Sequence, residues 1–538
     1  MSRIFKKDKK VYISAAVFSL LFSLAAVIGH AMYETNDFFV LFSSAKTLCL
    51  AFAVFLVLAA LIFFPVSFLY SVDLNSGNYS FLHRRRSFFL IWLVLFLFWL
   101  PCYLAYYPGV WGYDISYQAG QIISGQYTSH HPPLHTFILE VFFRFFDFDY
   151  AKAISVFGLC QMLFISGICA LFIHRAARKR LPKALIIISF AFFALNPIVA
   201  IFSFIPVKDV SCACFLMLLA LELIELSSDS EKYFKSPLNL LRFSFLGLLF
   251  CLFRNNAAYA LPVCALVLLF IFKRNRIKVF ALFLVPCALY FSISLFIYPL
   301  LGIEKGRSAE MLSVPLQQLA RAVSDDPSSL SEEDAAAVSR IFSYKSMEEI
   351  AELYNPRFAD PIKDNFDDSV GFKGLLTEWL KLLPEHLKSY VNAFLSLHLP
   401  YWYPAANAKD EFSGRVYIET NVDPAEQIPA PFYVESKFPK LLEFYQGIAT
   451  YSALKNLPQV FNIFSLSFAL WFMLFCFFGM IARGYFGKTA VIILPLSFWA
   501  TFILGPVSNL RYIVPIIFLY PIMLVSSFAP ELYFRKKS

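Results

Sequence analysis

Asp114, His130 and His131 lie in one polar stretch, YYPGVWGYDISYQAGQIISGQYTSHHPPL from Tyr106 to Leu134, set between strongly hydrophobic runs. The stretch contains no Lys or Arg, so Asp114 has no cationic neighbour in its own loop. A lone carboxylate beside a bilayer suits a general base or a ligand for a divalent ion. The two imidazoles suit phosphate or substrate contact, or proton transfer near neutral pH. Pro132 and Pro133 follow directly and stiffen the backbone that aims the rings. A rigid turn with exposed histidines is the plainer use of the same residues. Trp111, Tyr113 and Tyr117 around Asp114 fit either a site wall or an interfacial aromatic belt.

Three other short loops carry ionisable groups. Lys208 and Asp209 sit in FIPVKDVSC, a turn that is otherwise apolar. Charges are costly there, so the pair is either a topological marker or a functional one. Lys208 suits phosphate binding as a point charge, and Asp209 is a second candidate catalytic carboxylate. Arg254, Asn255 and Asn256 occupy CLFRNNAAYA, and Arg511 occupies SNLRYIVP. Arginines beside amide side chains suit an anionic head group or a diphosphate. Snorkelling or helix capping is the alternative. The candidate set is therefore Asp114 and Asp209 as catalytic groups, with His130, His131, Lys208, Arg254, Asn255 and Arg511 toward substrate.

Lipid-embedded helices must position these loops. The 538 residues are 59% hydrophobic and only 15% charged, more apolar surface than a soluble domain of this size hides. The spacing of apolar runs predicts helices near 11–32, 47–72, 87–106, 150–173, 184–205, 210–226, 240–256, 258–272, 279–301, 459–482, 489–506 and 512–530. The predicted fold is an all-α polytopic membrane protein of about 12 transmembrane helices. The net charge of +9 comes in short clusters between the runs, a pattern of membrane orientation and not of nucleic-acid binding. The clusters are Lys6, Lys7, Lys9 and Lys10; Arg84 to Arg86; Arg175 to Lys183; Lys232 to Arg242; Lys273 to Lys278; Arg483 and Lys488; and Arg535 to Lys537. All fall on one side if both termini are cytoplasmic, which puts the candidate loops outside.

The PLHTFILEVFFRFF end of the first loop reads as an interfacial helix. The charged 302–458 segment reads as a mainly helical extracytoplasmic domain, with Ser331 as a helix cap and Asp334 in the first turn. The chain divides into two N-terminal helices (1–86), a transmembrane core (87–301) with its external loop 106–149, the 302–458 domain, and C-terminal helices (459–538). Cys49, Cys169, Cys212, Cys214, Cys251, Cys264, Cys287 and Cys476 lie in apolar runs and read as small buried hydrophobes.

The order of these loops resembles the GT-C class of membrane glycosyltransferases, over about residues 87–530. That class places an acidic residue in the first large external loop and further charged residues in the second. A sizeable external domain follows the seventh core helix. The resemblance implies that Asp114 occupies the first loop and Lys208–Asp209 the second. It implies transfer of a sugar from a polyprenyl-phosphate donor to an extracytoplasmic glycan, lipid or protein acceptor. A divalent cation, Mg or Mn, is implied at Asp114, although Asp114 lacks the acidic neighbour that many such loops carry. The chain is also similar to a bacterial family of polytopic membrane proteins through PGVWGYD, HHPPLHT, PVKDV, FRNNAAYA, SVPLQQLAR, YNPRFADPIKD and NLRYIVP. Two other readings remain open. An O-antigen ligase or polymerase-like enzyme would put its catalytic groups in 302–458, with His386 or His398 as candidates. A lipid-linked glycan transporter or flippase would carry ionisable residues at mid-membrane.

Overall fold

The structure is a computed structural model that describes residues 9–77, 79, 82, 84–406, 416–423, 431–450 and 463–534. Lys6, Lys7, Arg535, Lys536 and Lys537 of the basic clusters lie outside the described residues, as does the start of the predicted 459–482 helix. A helix or a broken helix stands at each of the twelve predicted positions. Six are long and apolar enough to cross a membrane: Lys9–Thr35, Ala45–Ser71, Arg85–Ala105, Tyr150–Arg178, Lys208–Ser228 and Arg276–Leu300. Leu510–Ile517 and Tyr520–Phe528 form a seventh if their 45° bend lies within one span. Five shorter apolar helices accompany them: Lys183–Leu195, Pro237–Phe253, Ala257–Ile271, Leu466–Ala482 and Ala490–Leu504.

The outward faces of these helices are apolar. In Ala45–Ser71, Leu61 and Phe64 are 65% and 68% exposed, which is stable only with lipid as solvent. The protein is an all-α, multi-pass membrane protein. Cys49 lies on that exposed helix and is not buried as the sequence suggests; the other seven cysteines named above are buried.

Local chemistry explains where helices start and break. The predicted 184–205 helix is interrupted at Asn196, whose side chain accepts from the Ile198 and Val199 amides while Pro197 opens a new turn. Asp149 caps Tyr150–Arg178 through the Lys152 amide. The PLHTFILEVFFRFF stretch is helical over Pro133–Phe145, with proline in its first turn. Ser331 caps Glu332–Ile341 through the Asp334 amide, as its sequence indicates.

The helices have two chemically distinct ends. Arg85–Ala105 begins among Arg84 to Arg86 and ends eight residues before the tripeptide containing Asp114. Tyr150–Arg178 begins where Tyr150 packs edge-on against Trp111 and ends at Arg175 and Arg178. Ala257–Ile271 begins beside Arg254 and runs to Lys273 and Arg274. Arg84 to Arg86, Arg175 and Arg178, and Lys273 and Arg274 thus lie at the end opposite the candidate loops. A polar hollow of about 380 Å³ opens there, lined by Ser227, Ser228, Arg274 and Lys488 among others. Lys208–Ser228 separates that hollow from the candidate loops by its own length, about 30 Å. The hollow is therefore no part of the candidate site.

The 302–458 segment packs its helices around a core of its own, including Leu316, Leu319, Val323, Ile341, Ile350 and Tyr390. Among the described residues it also holds a short antiparallel ribbon, Asn421–Val422 with Phe432–Tyr433.

Candidate active site

The Asp114 loop is held from outside by backbone pairing. Trp111 and Glu419 exchange amide-to-carbonyl bonds of 3.2 and 2.6 Å. The Glu435 amide donates to the Tyr107 carbonyl at 2.7 Å, and the Tyr417 amide to the Tyr113 hydroxyl at 3.1 Å. Two further bridges from the 302–458 segment reach the other loops. Thr128 pairs with Glu304 beside the histidines, and Phe358 pairs with Val507 just before Arg511. Each of these tethers fixes one loop to the 302–458 segment.

Gly112 allows the closest approach. A Cβ there would meet the Tyr417 carbonyl oxygen at 2.5 Å, a backbone atom that cannot rotate away. Gly112→Ala is therefore expected to push the loop off its strap and misplace Asp114. A displacement of about 1 Å costs on the order of 100-fold in rate. On the enzymatic reading proposed below, the comparison is of turnover at equal amounts of membrane-inserted protein; an unchanged rate rejects the strap's positioning role.

Asp114 is the N-cap of Ile115–Ser124, a helix the sequence did not announce. An aspartate in this place normally bonds the helix's free amides. Here its side chain makes no such bond. Its Oδ1 instead accepts from Arg511 Nη1 at 2.7 Å, and Oδ2 lies 2.8 Å from Lys208 Nζ. His131 Nδ1 stands 2.8 Å from the same ammonium and 3.5 Å from Asp114 Oδ2. Four residues from three loops thus share one contact. Burial alone would raise the Asp114 carboxyl, but the Arg511 and Lys208 charges outweigh it and hold the group well below the usual carboxylate range.

Burial and the adjacent Lys208 charge push the His131 imidazole well below its ordinary value, so the ring is neutral at pH 7. Its Nδ1 accepts from Lys208, so the network assigns its hydrogen to Nε2. His130 packs edge-on against His131 with ring centres 4.5 Å apart and is lowered by burial, with Glu310 acting against that shift.

A second pair adjoins the first. Asp209 follows Lys208 in the first turn of their helix and is fully buried. Its Oδ1 accepts from Arg254 Nη1 at 2.5 Å, while Oδ2 has no hydrogen-bond partner. Arg254 and Arg511 lie over the Tyr512 ring at 4.5 and 5.1 Å, and Arg511 also lies over Tyr113 at 5.0 Å. Tyr512 thus joins the pairs; its only sequence signal is adjacency to Arg511. Three cations face two carboxylates, leaving one positive charge in excess.

Asn255 has a different placement. Its Nδ2 donates to the Ser129 carbonyl and its Oδ1 accepts from Tyr290, so it ties the histidine loop to Arg276–Leu300. The 302–458 segment brings in residues that the sequence did not mark. Lys363 pairs with Glu310 and Asp360 at 2.7 and 2.8 Å, and both Lys363 and Glu310 act on His130.

The donor set does not fit a divalent cation at Asp114. A hard cation takes several oxygen ligands. Both Asp114 oxygens already face positive groups, Arg511 and Lys208.

His398 is 1% exposed, and neither ring nitrogen has a partner among the described residues. It packs on Phe394 and is a core residue, while His386 has one buried nitrogen without a partner. Burial pushes His398 down to about 3, below the unfolded value near 6.5. The unfolded chain binds the extra proton in that window. The stability contribution is complete above about pH 6.5 and is lost as pH falls toward 3. Thermal unfolding in detergent is expected to weaken from pH 7 to 5. In His398→Leu the slope should drop by about one proton. An identical slope rejects this account.

No curated protein and no solved structure matches the chain. Residues 127–533 match a family of unknown function, DUF6020. The match includes His130, His131, Lys208, Asp209, Arg254, Asn255 and Arg511, and Asp114 lies before its start. The chain belongs to this family, DUF6020.

Proposed function

We propose that the protein is a GT-C-type glycosyltransferase that moves a sugar from a polyprenyl-phosphate donor to an extracytoplasmic acceptor in cell-envelope glycan synthesis. The observation that carries this reading is the meeting of ionisable residues from four separate loops in one buried cluster with excess positive charge. Such a cluster suits a phosphate, and its place at the ends of apolar helices suits a phosphate with a lipid tail. On this reading the twelve apolar helical positions are twelve spans. The basic clusters face the cytoplasm with both termini, and Asp114 faces the outside. The lipid tail runs between helices, and the 302–458 segment receives the glycan, lipid or protein acceptor.

Asp114 takes the proton of the acceptor hydroxyl as its oxygen bonds to the anomeric carbon. The bond from that carbon to the donor phosphate breaks, and its electron pair leaves on the phosphate. Lys208 and Arg511 stabilise the charge that develops there, and His131 offers its Nε2 hydrogen. Asp209 fixes Arg254 at the edge of the same field. No step passes through a metal.

The test compares lipid extracts from membranes with and without the protein by mass spectrometry. Sugar-loaded polyprenyl phosphate should accumulate in its absence and be consumed when purified protein is restored. Identical pools and no consumption reject the reading.

A further inference from the structure

Asp114 and a substrate phosphate need the same partners. The Asp114 oxygens take Arg511 Nη1 and Lys208 Nζ, the two cationic donors nearest the centre of the cluster. Yet the pairing leaves Arg511 incompletely used. Its Nε is buried and has no acceptor, so the guanidinium meets the carboxylate through one arm and not as a fork. In the adjoining pair Asp209 Oδ2 is buried and has no donor among the described residues. A donor and an acceptor both lack partners in one packed cluster, an arrangement suited to a second state. A tetrahedral phosphate has enough oxygens to engage both arms of the Arg511 fork and Lys208 together. The cluster is narrow but not sealed: the Asp114 and Arg511 side chains are 16% and 14% exposed.

We propose that Asp114 is a self-inhibitory latch: it holds Arg511 and Lys208 in place of the substrate phosphate, and phosphate binding displaces it and frees its carboxylate to act as base. The latch extends the function proposed above, which supplies a phosphate on a lipid. Its chemistry needs only the phosphate. Without phosphate, the cationic pair quenches the base. With phosphate in place, the base loses its counter-ions and gains proton affinity where the acceptor hydroxyl must be activated. Donor binding thus precedes base activation, and a free acceptor or water is not activated in the empty site.

The latch makes a prediction opposite to that of a directly binding carboxylate. Asp114→Asn removes the competitor, so the variant should bind phosphate more tightly than the native protein. Coupling free energies between two binding events typically span 5- to 150-fold, and on that scale about tenfold tighter binding is expected. The full chain in nanodiscs is titrated by calorimetry with a short-chain polyprenyl phosphate and, separately, with inorganic phosphate. Tighter binding of either probe supports the latch. Tightening for both probes shows that the phosphate group itself displaces the latch, and the probe that the native protein binds more tightly assigns its source to a lipid or to free phosphate. Unchanged or weaker binding of both probes overturns the latch.

If Asp114→Asn does not fold, native protein labelled with ¹³C-aspartate is measured by infrared difference spectroscopy. A carboxylate band that shifts on phosphate addition supports the latch, and no shift overturns it. Tighter binding by Asp114→Asn, together with no consumption of lipid-linked sugar by the native protein, keeps the latch and removes the transferase reading.

Discussion

Asp114→Asn is expected to lower sugar transfer by about 10²–10⁴-fold, the usual share of a positioned general base. The substitution is nearly isosteric, and an amide oxygen can still accept from Arg511 or Lys208. It cannot take up the acceptor proton. Loss should therefore appear in kcat while the donor still binds, which separates chemistry from recognition. The readout is release of polyprenyl phosphate from a sugar-loaded donor, with monodisperse elution of the variant as the folding control. The geometry adds a reason to expect a large effect. Asp114 forgoes the helix cap open to it and directs both oxygens at cations drawn from distant parts of the chain. A carboxylate serving only the local fold would bond its own helix amides. A variant that keeps more than about a tenth of native turnover would reject Asp114 as the base.

The helices were legible because lipid leaves few alternatives: an apolar run near spanning length must satisfy its backbone internally. The candidate loops were legible for the converse reason. Lys208 and Asp209 stand out in an otherwise apolar turn, where ionised groups need partners. The partners themselves were not legible. Asp114 and Arg511 are 397 positions apart, and no local pattern records that separation. Arg254 is engaged by Asp209 and Tyr512, and Asn255 by Ser129 and Tyr290, although type and spacing alone would direct both at a ligand. The break at Asn196 was hidden because Phe192, Ile198 and their neighbours continue the apolar pattern across it. The strap at 416–419 was hidden because its pairing with Trp111 is through backbone, which residue type scarcely records. The divalent cation came from family resemblance, and the ion-paired Asp114 has a donor set that does not suit one.

Arg511→Ala should cause the largest combined loss of stability and activity. Arg511 donates to Asp114, lies over Tyr113 and Tyr512, and is placed by Asn509, whose side chain accepts from the Arg511 amide at 3.0 Å. Removing the guanidinium leaves Asp114 with Lys208 as its remaining ion-pair partner and empties the space between two aromatic rings. Breaking one side of a buried ion pair costs about 3–5 kcal/mol because the other charge stays desolvated. Transfer should fall as well, since the leaving phosphate loses its fork. Arg511→Lys separates the two effects. It restores charge opposite Asp114 but neither the fork nor the flat stack, so it should recover part of the stability and little of the transfer. Thermal unfolding and polyprenyl-phosphate release on both variants provide the comparison. Native stability in Arg511→Ala would show that the Asp114 pairing contributes nothing to the fold, and full transfer in Arg511→Lys would reject bidentate phosphate binding.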